Sequence, residues 1–97
     1  MQARVMYVTM KPEHIDDARA RWSEITARYK DRGLHAAYMI PLDRATGKII
    51  SITLWEDEAA MRANEADPMR KAMHEPFKDW FALAPFTEYG EVGAFVE

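Results

Sequence analysis

The sequence predicts an α+β fold of the ferredoxin-like type, in the order β-α-β-β-α-β, with its helices on one face of an antiparallel sheet. Apolar runs of strand-like composition occur at residues 4–11, 34–42, 48–55 and 86–96. Apolar residues at helical spacing lie between the first and second runs and again, broken by prolines, between the third and fourth. Because no linker or repeat separates these elements, we expect a single domain over residues 1–97.

Size, charge and cysteine content narrow the classes of function. The chain has 97 residues, is 48% hydrophobic and has a net charge of −3. It shows no basic stripe, so no nucleic-acid partner is expected, and no apolar run of about 18 residues, so no membrane span is expected. The first residues do not resemble a secretory signal, which favours a cytoplasmic location. The absence of cysteine excludes disulfides, thiol catalysis and thiolate metal sites.

The first helix is predicted over residues 13–32. Pro12 ends the first strand and suits the first turn of a helix, and Gly33 suits its C-terminal end. Because the following apolar residues repeat at spacings of three and four, they form one stripe that we expect to pack in the core: Ile15, Ala18, Trp22, Ile25 and Tyr29.

Residues 34–42 and 48–55 are predicted to form a hairpin. Asp43 suits the first position of a type I turn, and Gly47 can adopt the left-handed conformation that closes it. Pro41 cannot donate a ladder hydrogen bond, so its strand is expected at an edge of the sheet. Simple alternation places one set of side chains of this strand on a common face: Leu34, Ala36, Tyr38, Ile40 and Leu42.

The second helical region is expected in pieces. The acidic residues at 56–57 can cap a short helix that ends near residue 66. Asp67 followed by Pro68 is a second start signal, a capping residue before a proline at the first helical position. Pro76 disfavours helical angles in the residue before it, so His74 is expected near the C-terminal end of a helical piece.

Both faces of the first three strands carry apolar side chains. The helices can cover only one face, and an exposed apolar face of that size is rare on a monomer. We therefore expect a homodimer closed by the packing of one sheet on the other. A monomer whose sheet is only partly apolar is the alternative.

Three short stretches carry a family resemblance: Leu54-Trp55-Glu56, the acidic and alanine run Asp57–Ala60, and Asp67-Pro68-Met69. Together with the hairpin AYMIPLDRATGKIISITLW, they resemble the antibiotic biosynthesis monooxygenase family of small dimeric α/β barrels. The resemblance extends over nearly the whole chain and implies the fold and the dimer described above.

The resemblance also implies an activity and an alternative to it. Some members oxidise aromatic polyketide intermediates with O₂ and without flavin or metal, so the expected ligand is a small apolar or electron-rich aromatic molecule. A related branch degrades heme held by a histidine, and His74 resembles that histidine in its distance along the chain from Trp55. This chain departs from that branch at Val5-Met6-Tyr7, where the branch has an asparagine, and at Asn64, where it has a tryptophan. A non-catalytic ligand-binding or stress-responsive dimer is a third hypothesis.

His74, Asn64 and Tyr7 are the candidate catalytic residues. His74 would act as a general base or bind heme iron, because its usual pKa lies near neutrality. Its alternative role is to stabilise a helix end when protonated. The amide of Asn64 and the hydroxyl of Tyr7 would orient substrate oxygens. Their alternatives are a solvated helix residue and a core aromatic.

The candidate substrate-binding residues are aromatic and methionine side chains that would form an apolar pocket wall, with core packing as the alternative for each: Trp55, Tyr38, Met61, Met73 and Phe77. No spacing of metal ligands such as HExxH occurs, so no metal site built by the protein is expected. No glycine-rich nucleotide motif occurs either, so no cofactor is expected, with heme bound by His74 as the alternative.

Overall fold

A computed structural model describes residues 1–97 and confirms the α+β fold. The strands are β1 (Gln2–Thr9), β2 (Leu34–Asp43), β3 (Lys48–Trp55) and β4 (Phe86–Glu91). The helices are α1 (Ile15–Ala27), α2 (Glu58–Ala66), α3 (Pro68–Met73) and α4 (Phe77–Trp80). Short 3-10 turns occupy Pro12–His14 and Lys30–Arg32. None of the helices is long and apolar enough to cross a membrane.

The four strands form one sheet in the order β2-β3-β1-β4. Every neighbouring pair of strands is antiparallel. This is the ferredoxin-like arrangement that the element order predicts. β2 lies at an edge, as Pro41 indicates, because an edge strand can leave the nitrogen of proline unpaired.

The two faces of the sheet differ in what covers them. One face, called the inner face here, packs against the helices and presents alternate residues of β3: Ile49, Ser51, Thr53 and Trp55. The other, called the outer face, has no helix on it. It presents a largely apolar set of side chains: Val5, Tyr7, Tyr38, Ile40, Ile50, Ile52 and Phe86.

The predicted alternation of β2 holds for Ala36, Tyr38 and Ile40, which share a face, but is wrong in placing Leu34 with them. Leu34 pairs with Trp55, but Ala36 pairs with Leu54, so His35 is an extra residue in a β-bulge. Because a one-residue shift moves the following side chains to the opposite face, Leu34 lies in the core while Tyr38 lies on the outer face.

Several predicted boundaries are also wrong. The helix predicted over 13–32 is regular only between residues 15 and 27, with a 3-10 turn on each side. The last strand ends at Glu91 rather than near residue 96. The pieces of the second helical region start as predicted, since the carboxylates of Asp57 and Asp67 accept hydrogen bonds from the backbone of Ala60 and Met69.

The core lies between the inner face and the helices. Its members are mostly apolar and come from every layer of the fold, among them Met10, Ile15, Ala18, Ile25, Trp55, Met61 and Phe77. The β2–β3 turn is hydrogen-bonded to this core, because the Met10 amide donates a hydrogen bond to the Gly47 carbonyl oxygen at 2.8 Å. Gly47 has a φ of 81°, and a Cβ there would overlap the Met10 carbonyl oxygen, so the turn requires glycine.

Candidate active site

A pocket opens between the inner face of the sheet and the helices. Its cavity volume, counted as the space open to the centre of a water molecule, is about 60 Å³. Most of the wall is hydrophobic, with Met6 and Val8 from β1, Trp22 from α1, Trp55 from β3 and Phe77 from α4. A mostly apolar cleft with a few polar groups is the usual form of a small-molecule site.

The polar groups of the pocket come from several elements. Arg4 lies on β1, Asn64 on α2, and Arg70 and His74 on or at the end of α3. Four residues separate Arg70 from His74, so both side chains lie on one face of the helical turn. The hydroxyls of Ser51 and Thr53 also line the pocket, and Thr53 accepts a hydrogen bond from Trp55 Nε1 at 2.9 Å.

Arg4 is held by two residues of α2. Its Nη2 donates to Asn64 Oδ1 at 2.9 Å, and its Nη1 donates to Glu65 Oε2 at 3.2 Å. The guanidinium also lies 5.5 Å from the centre of the Trp55 ring. Burial lowers the pKa of Arg4, while the hydrogen bond and charge of Glu65 partly offset that effect. Because Asn64 Oδ1 is occupied, its amide nitrogen is the group left to donate to a ligand.

The carboxylate of Glu65 accepts hydrogen bonds from three side chains behind the pocket. Besides Arg4, it accepts hydrogen bonds from Arg62 at 2.9 Å and from the Tyr89 hydroxyl at 2.7 Å. Burial alone would raise the pKa of Glu65, but the hydrogen bonds from Tyr89, Arg62 and Arg4 lower it below the usual value. The carboxylate is therefore ionised at neutral pH and neutralises the buried Arg4.

His74 is neutral at physiological pH. Burial, followed by the positive charges of Arg70 and Arg4, lowers its pKa to about 4. His74 caps the C-terminus of α3, where a helix dipole would favour the protonated ring. Burial and the two guanidinium groups therefore act against the protonated ring that a helix-capping role would require.

The structure brings together some of the predicted site residues and separates others. His74, Asn64, Trp55 and Phe77 line the pocket. Met61 is buried in the core behind the wall, and Met73 packs against that core. Neither lines the pocket.

Tyr7 and Tyr38 lie on the outer face, where they are 42% and 50% exposed. Their predicted position in the pocket is wrong. Tyr7 follows Met6 and precedes Val8, both of which point inward, so its own side chain points outward. Tyr38 is turned outward by the β2 bulge.

Sequence reasoning missed Arg4, Arg70, Ser51 and Thr53. Each of these had a local signal, and Ser51 and Thr53 share the strand phase of Trp55. Arg4 likewise shares the phase of Met6 and Val8, and a polar residue on an apolar strand face is informative. Arg70 could have been found from its helical spacing to His74. The chain contains no group of three or more His, Cys, Asp or Glu side chains that could hold a metal ion.

The fold and the pocket define a small ferredoxin-like protein with a mostly apolar cavity between sheet and helices. The family model described as "Antibiotic biosynthesis monooxygenase" matches residues 1–76. The chain therefore belongs to the antibiotic biosynthesis monooxygenase family, which confirms the resemblance seen in the sequence. The remaining residues include α4 and β4, and β4 completes the sheet by pairing with β1.

Solved structures share this fold at low sequence identity. A structure of SnoaB, a cofactor-independent oxygenase from Streptomyces nogalater, gives a TM-score of 0.79 at 15% identity, covering 98% of this chain and 95% of that one. A Caulobacter crescentus CB15 protein assigned to the same family gives 0.84 at 16% identity, covering 96% and 90%. Rv0793 from Mycobacterium tuberculosis gives 0.79 at 8% identity, covering 99% and 98%. Among curated proteins, none matches the sequence significantly.

Proposed function

We propose that this protein is a cofactor-independent monooxygenase that oxidises an electron-rich aromatic or polyketide-type small molecule in the pocket. The observation that carries the proposal is the polar end of an otherwise apolar cavity, where a neutral imidazole lies with two arginines. The family and the shared fold of SnoaB, itself a cofactor-independent oxygenase, support it.

The reaction requires an ionised substrate. In such chemistry a CH₂ group flanked by aromatic or carbonyl groups loses a proton, and the resulting anion gives an electron to O₂. A C–O bond then forms, the O–O bond breaks, and one oxygen remains as a carbonyl while the other leaves as water. The substrate supplies all four electrons, so no external reductant is consumed.

The polar residues favour that ionisation. A neutral His74 can accept the proton, though its lowered pKa makes it a weak base, so the ionisation depends on Arg70, whose positive charge lowers the pKa of a bound acid. The free amide nitrogen of Asn64 can donate to the developing oxyanion. Trp55, held by its hydrogen bond to Thr53, provides a fixed aromatic wall for the ring.

The outer face of the sheet supports a homodimer as the working form. Tyr7, Tyr38, Ile40 and Phe86 are all exposed there and belong to neighbouring strands. A two-fold axis through this face would bury the same patch of both subunits, which a self-complementary interface requires. The pocket opens from the inner face, so dimerisation leaves it accessible.

Oxygen uptake with an anthrone-type substrate tests the proposal. Protein treated with a chelator and free of flavin should consume one O₂ for each quinone formed. His74→Gln should lower kcat by about 100-fold, as expected for loss of a general base. His35→Gln is the matched control, because His35 is exposed at the β2 bulge and outside the pocket.

Two outcomes would contradict the proposal. Tight ligand binding without oxygen uptake for any hydroquinone or anthrone would indicate a binding module. A Soret band on addition of hemin, lost in His74→Ala, would indicate a heme protein instead.

A further inference from the structure

Arg70 is a guanidinium without an ion-pair partner in the pocket. Its side chain lines the cavity. It takes part in none of the salt bridges or side-chain hydrogen bonds of the protein, whereas the other pocket arginine, Arg4, is paired with Glu65 at 3.2 Å. Burial, and then the charge of Arg4, lower the pKa of Arg70, which nevertheless stays protonated at neutral pH.

No acidic side chain forms an ion pair with Arg70, although the charge of Glu65 acts to raise its pKa. The acid nearest to the polar end, Glu65, already accepts from Arg4, Arg62 and Tyr89. His74, four residues along, contributes no negative charge. Because a half-buried charge without a partner costs free energy, the empty pocket carries an uncompensated positive charge next to an apolar wall.

We propose that the pocket selects aromatic ligands that carry an anionic oxygen and that Arg70 binds this oxygen. The inference rests on the proposed function in taking this pocket as the substrate site, and it narrows the substrate class. A guanidinium fits a carboxylate or an ionised phenol or enol through paired N–H donors. The ring of the ligand would lie between Trp22, Trp55 and Phe77, which line the same cavity.

A matched pair of ligands tests the role of charge. Binding of 2-naphthoate and of the neutral 2-naphthamide is measured without oxygen by quenching of tryptophan fluorescence, since Trp22 and Trp55 line the pocket. The wild type should bind the carboxylate more tightly. Arg70→Gln should weaken the binding of 2-naphthoate by about 10- to 100-fold, which is the effect of losing a hydrogen bond to a charged group. It should change the affinity for 2-naphthamide by less than about twofold.

Two further variants separate charge from folding. Arg70→Lys should recover part of the affinity for 2-naphthoate, because it restores the positive charge but not the paired donors. Lys71→Gln is the matched control, since it removes one positive charge from the same helix at an exposed position without an ion pair. It should leave both affinities unchanged.

A pH series with 2-naphthol distinguishes the two sources of the anionic oxygen. Affinity that rises as the phenol ionises, in the wild type but not in Arg70→Gln, identifies a phenolate ligand; preference for 2-naphthoate alone identifies a carboxylate. The inference is overturned if neither anion binds the wild type more tightly than its neutral form, or if no ligand binds at all. It is also overturned if Arg70→Gln weakens the binding of neutral and anionic ligands equally. The measurement involves no turnover, so failure of oxygen uptake would reject the oxygenase and leave this result standing.

Discussion

Arg4 Nη2 donates a hydrogen bond to Asn64 Oδ1 at 2.9 Å, which joins β1 to α2 across 60 residues of sequence. Both side chains are buried, with exposed fractions of 6% and 5%. The contact orients the Asn64 amide at the pocket and gives the arginine one of its acceptors. Glu65, the next residue on α2, gives it another.

Glu65→Ala should destabilise the protein through Arg4. The variant leaves a buried guanidinium without its counter-charge and also removes the acceptor of Tyr89 and Arg62. Because Glu65 is itself only partly buried, we expect a loss of about 2 kcal/mol, below the range for a fully buried pair. Urea denaturation measures the free energy of unfolding.

Glu24→Ala is the control for that measurement. Glu24 is an exposed helical acid that pairs with Arg28 at 4.0 Å. Its removal should change the free energy of unfolding by less than about 0.5 kcal/mol, as is usual for surface ion pairs. Equal losses for the two variants would show that burial of Arg4 does not matter.

Ile52→Glu should convert the proposed dimer to a monomer. Ile52 pairs with Val5 and with Tyr38, so its side chain lies in the middle of the outer face. In a sheet-to-sheet interface a carboxylate at this position would lose its contact with water. The two-fold symmetry would also place a second carboxylate from the partner in the same interface. Sedimentation velocity at micromolar protein should show about 22 kDa for the wild type, twice the 11.2 kDa chain, and half that for the variant.

Leu83→Glu serves as the comparison for Ile52→Glu. Leu83 is 64% exposed and follows α4, outside the sheet. It should leave the dimer intact. A wild type that sediments as a monomer, or a dimer that is unaffected by Ile52→Glu, would rule out the outer face as the interface.

The strands, their order and the turn chemistry could be predicted from the sequence because they depend on local signals. Periodic apolar residues locate the elements, Pro41 marks the edge strand, and Asp67 with Pro68 marks the start of α3. Trp55 and His74 were placed in the pocket because their positions in a strand and a helical turn follow from that same local pattern.

The outer position of Tyr38 could not be predicted, because the single extra residue at His35 reverses the side-chain phase. No glycine within β2 marks the position of this bulge. The polar end of the pocket was missed for a different reason. The contacts of Arg4 with Asn64 and Glu65 join elements about 60 residues apart, and no periodicity within either element reports them. Arg70 is informative only because it lacks such a partner, which a sequence does not show.

Gly47→Ala should cost much more stability than a substitution at Gly90 or Gly93. A Cβ at Gly47 would overlap the backbone carbonyl of Met10, and its φ of 81° is unfavourable for alanine. Because neither backbone segment can move without breaking the Met10–Gly47 hydrogen bond, we expect a loss of at least about 3 kcal/mol, seen as a lower urea midpoint.

Gly93→Ala is the matched control for Gly47→Ala. A Cβ at Gly93 would meet nothing within 4 Å, and its backbone is not left-handed. The free energy of unfolding should therefore stay within about 0.5 kcal/mol of the wild-type value. A tolerated Gly47→Ala would mean that the β2–β3 turn can detach from Met10.

The low pKa of His74 should make stability depend on pH in a window where most carboxylates are already ionised. Its folded-state pKa is about 4, against 6.5 in the unfolded chain. Between these values the unfolded state binds more protons, so stability rises with pH from about 4 to 6.5 and is lost as pH falls through that window. We expect a loss of about 1 kcal/mol between pH 7 and pH 5, allowing for the solvent-exposed part of the ring.

His74→Gln should flatten this part of the profile. Glu65 and Asp67, whose pKa values are lowered, would still cause a loss of stability at more acidic pH in both proteins. Parallel profiles for the wild type and His74→Gln between pH 5 and pH 7 would show that the fold does not lower the pKa of His74.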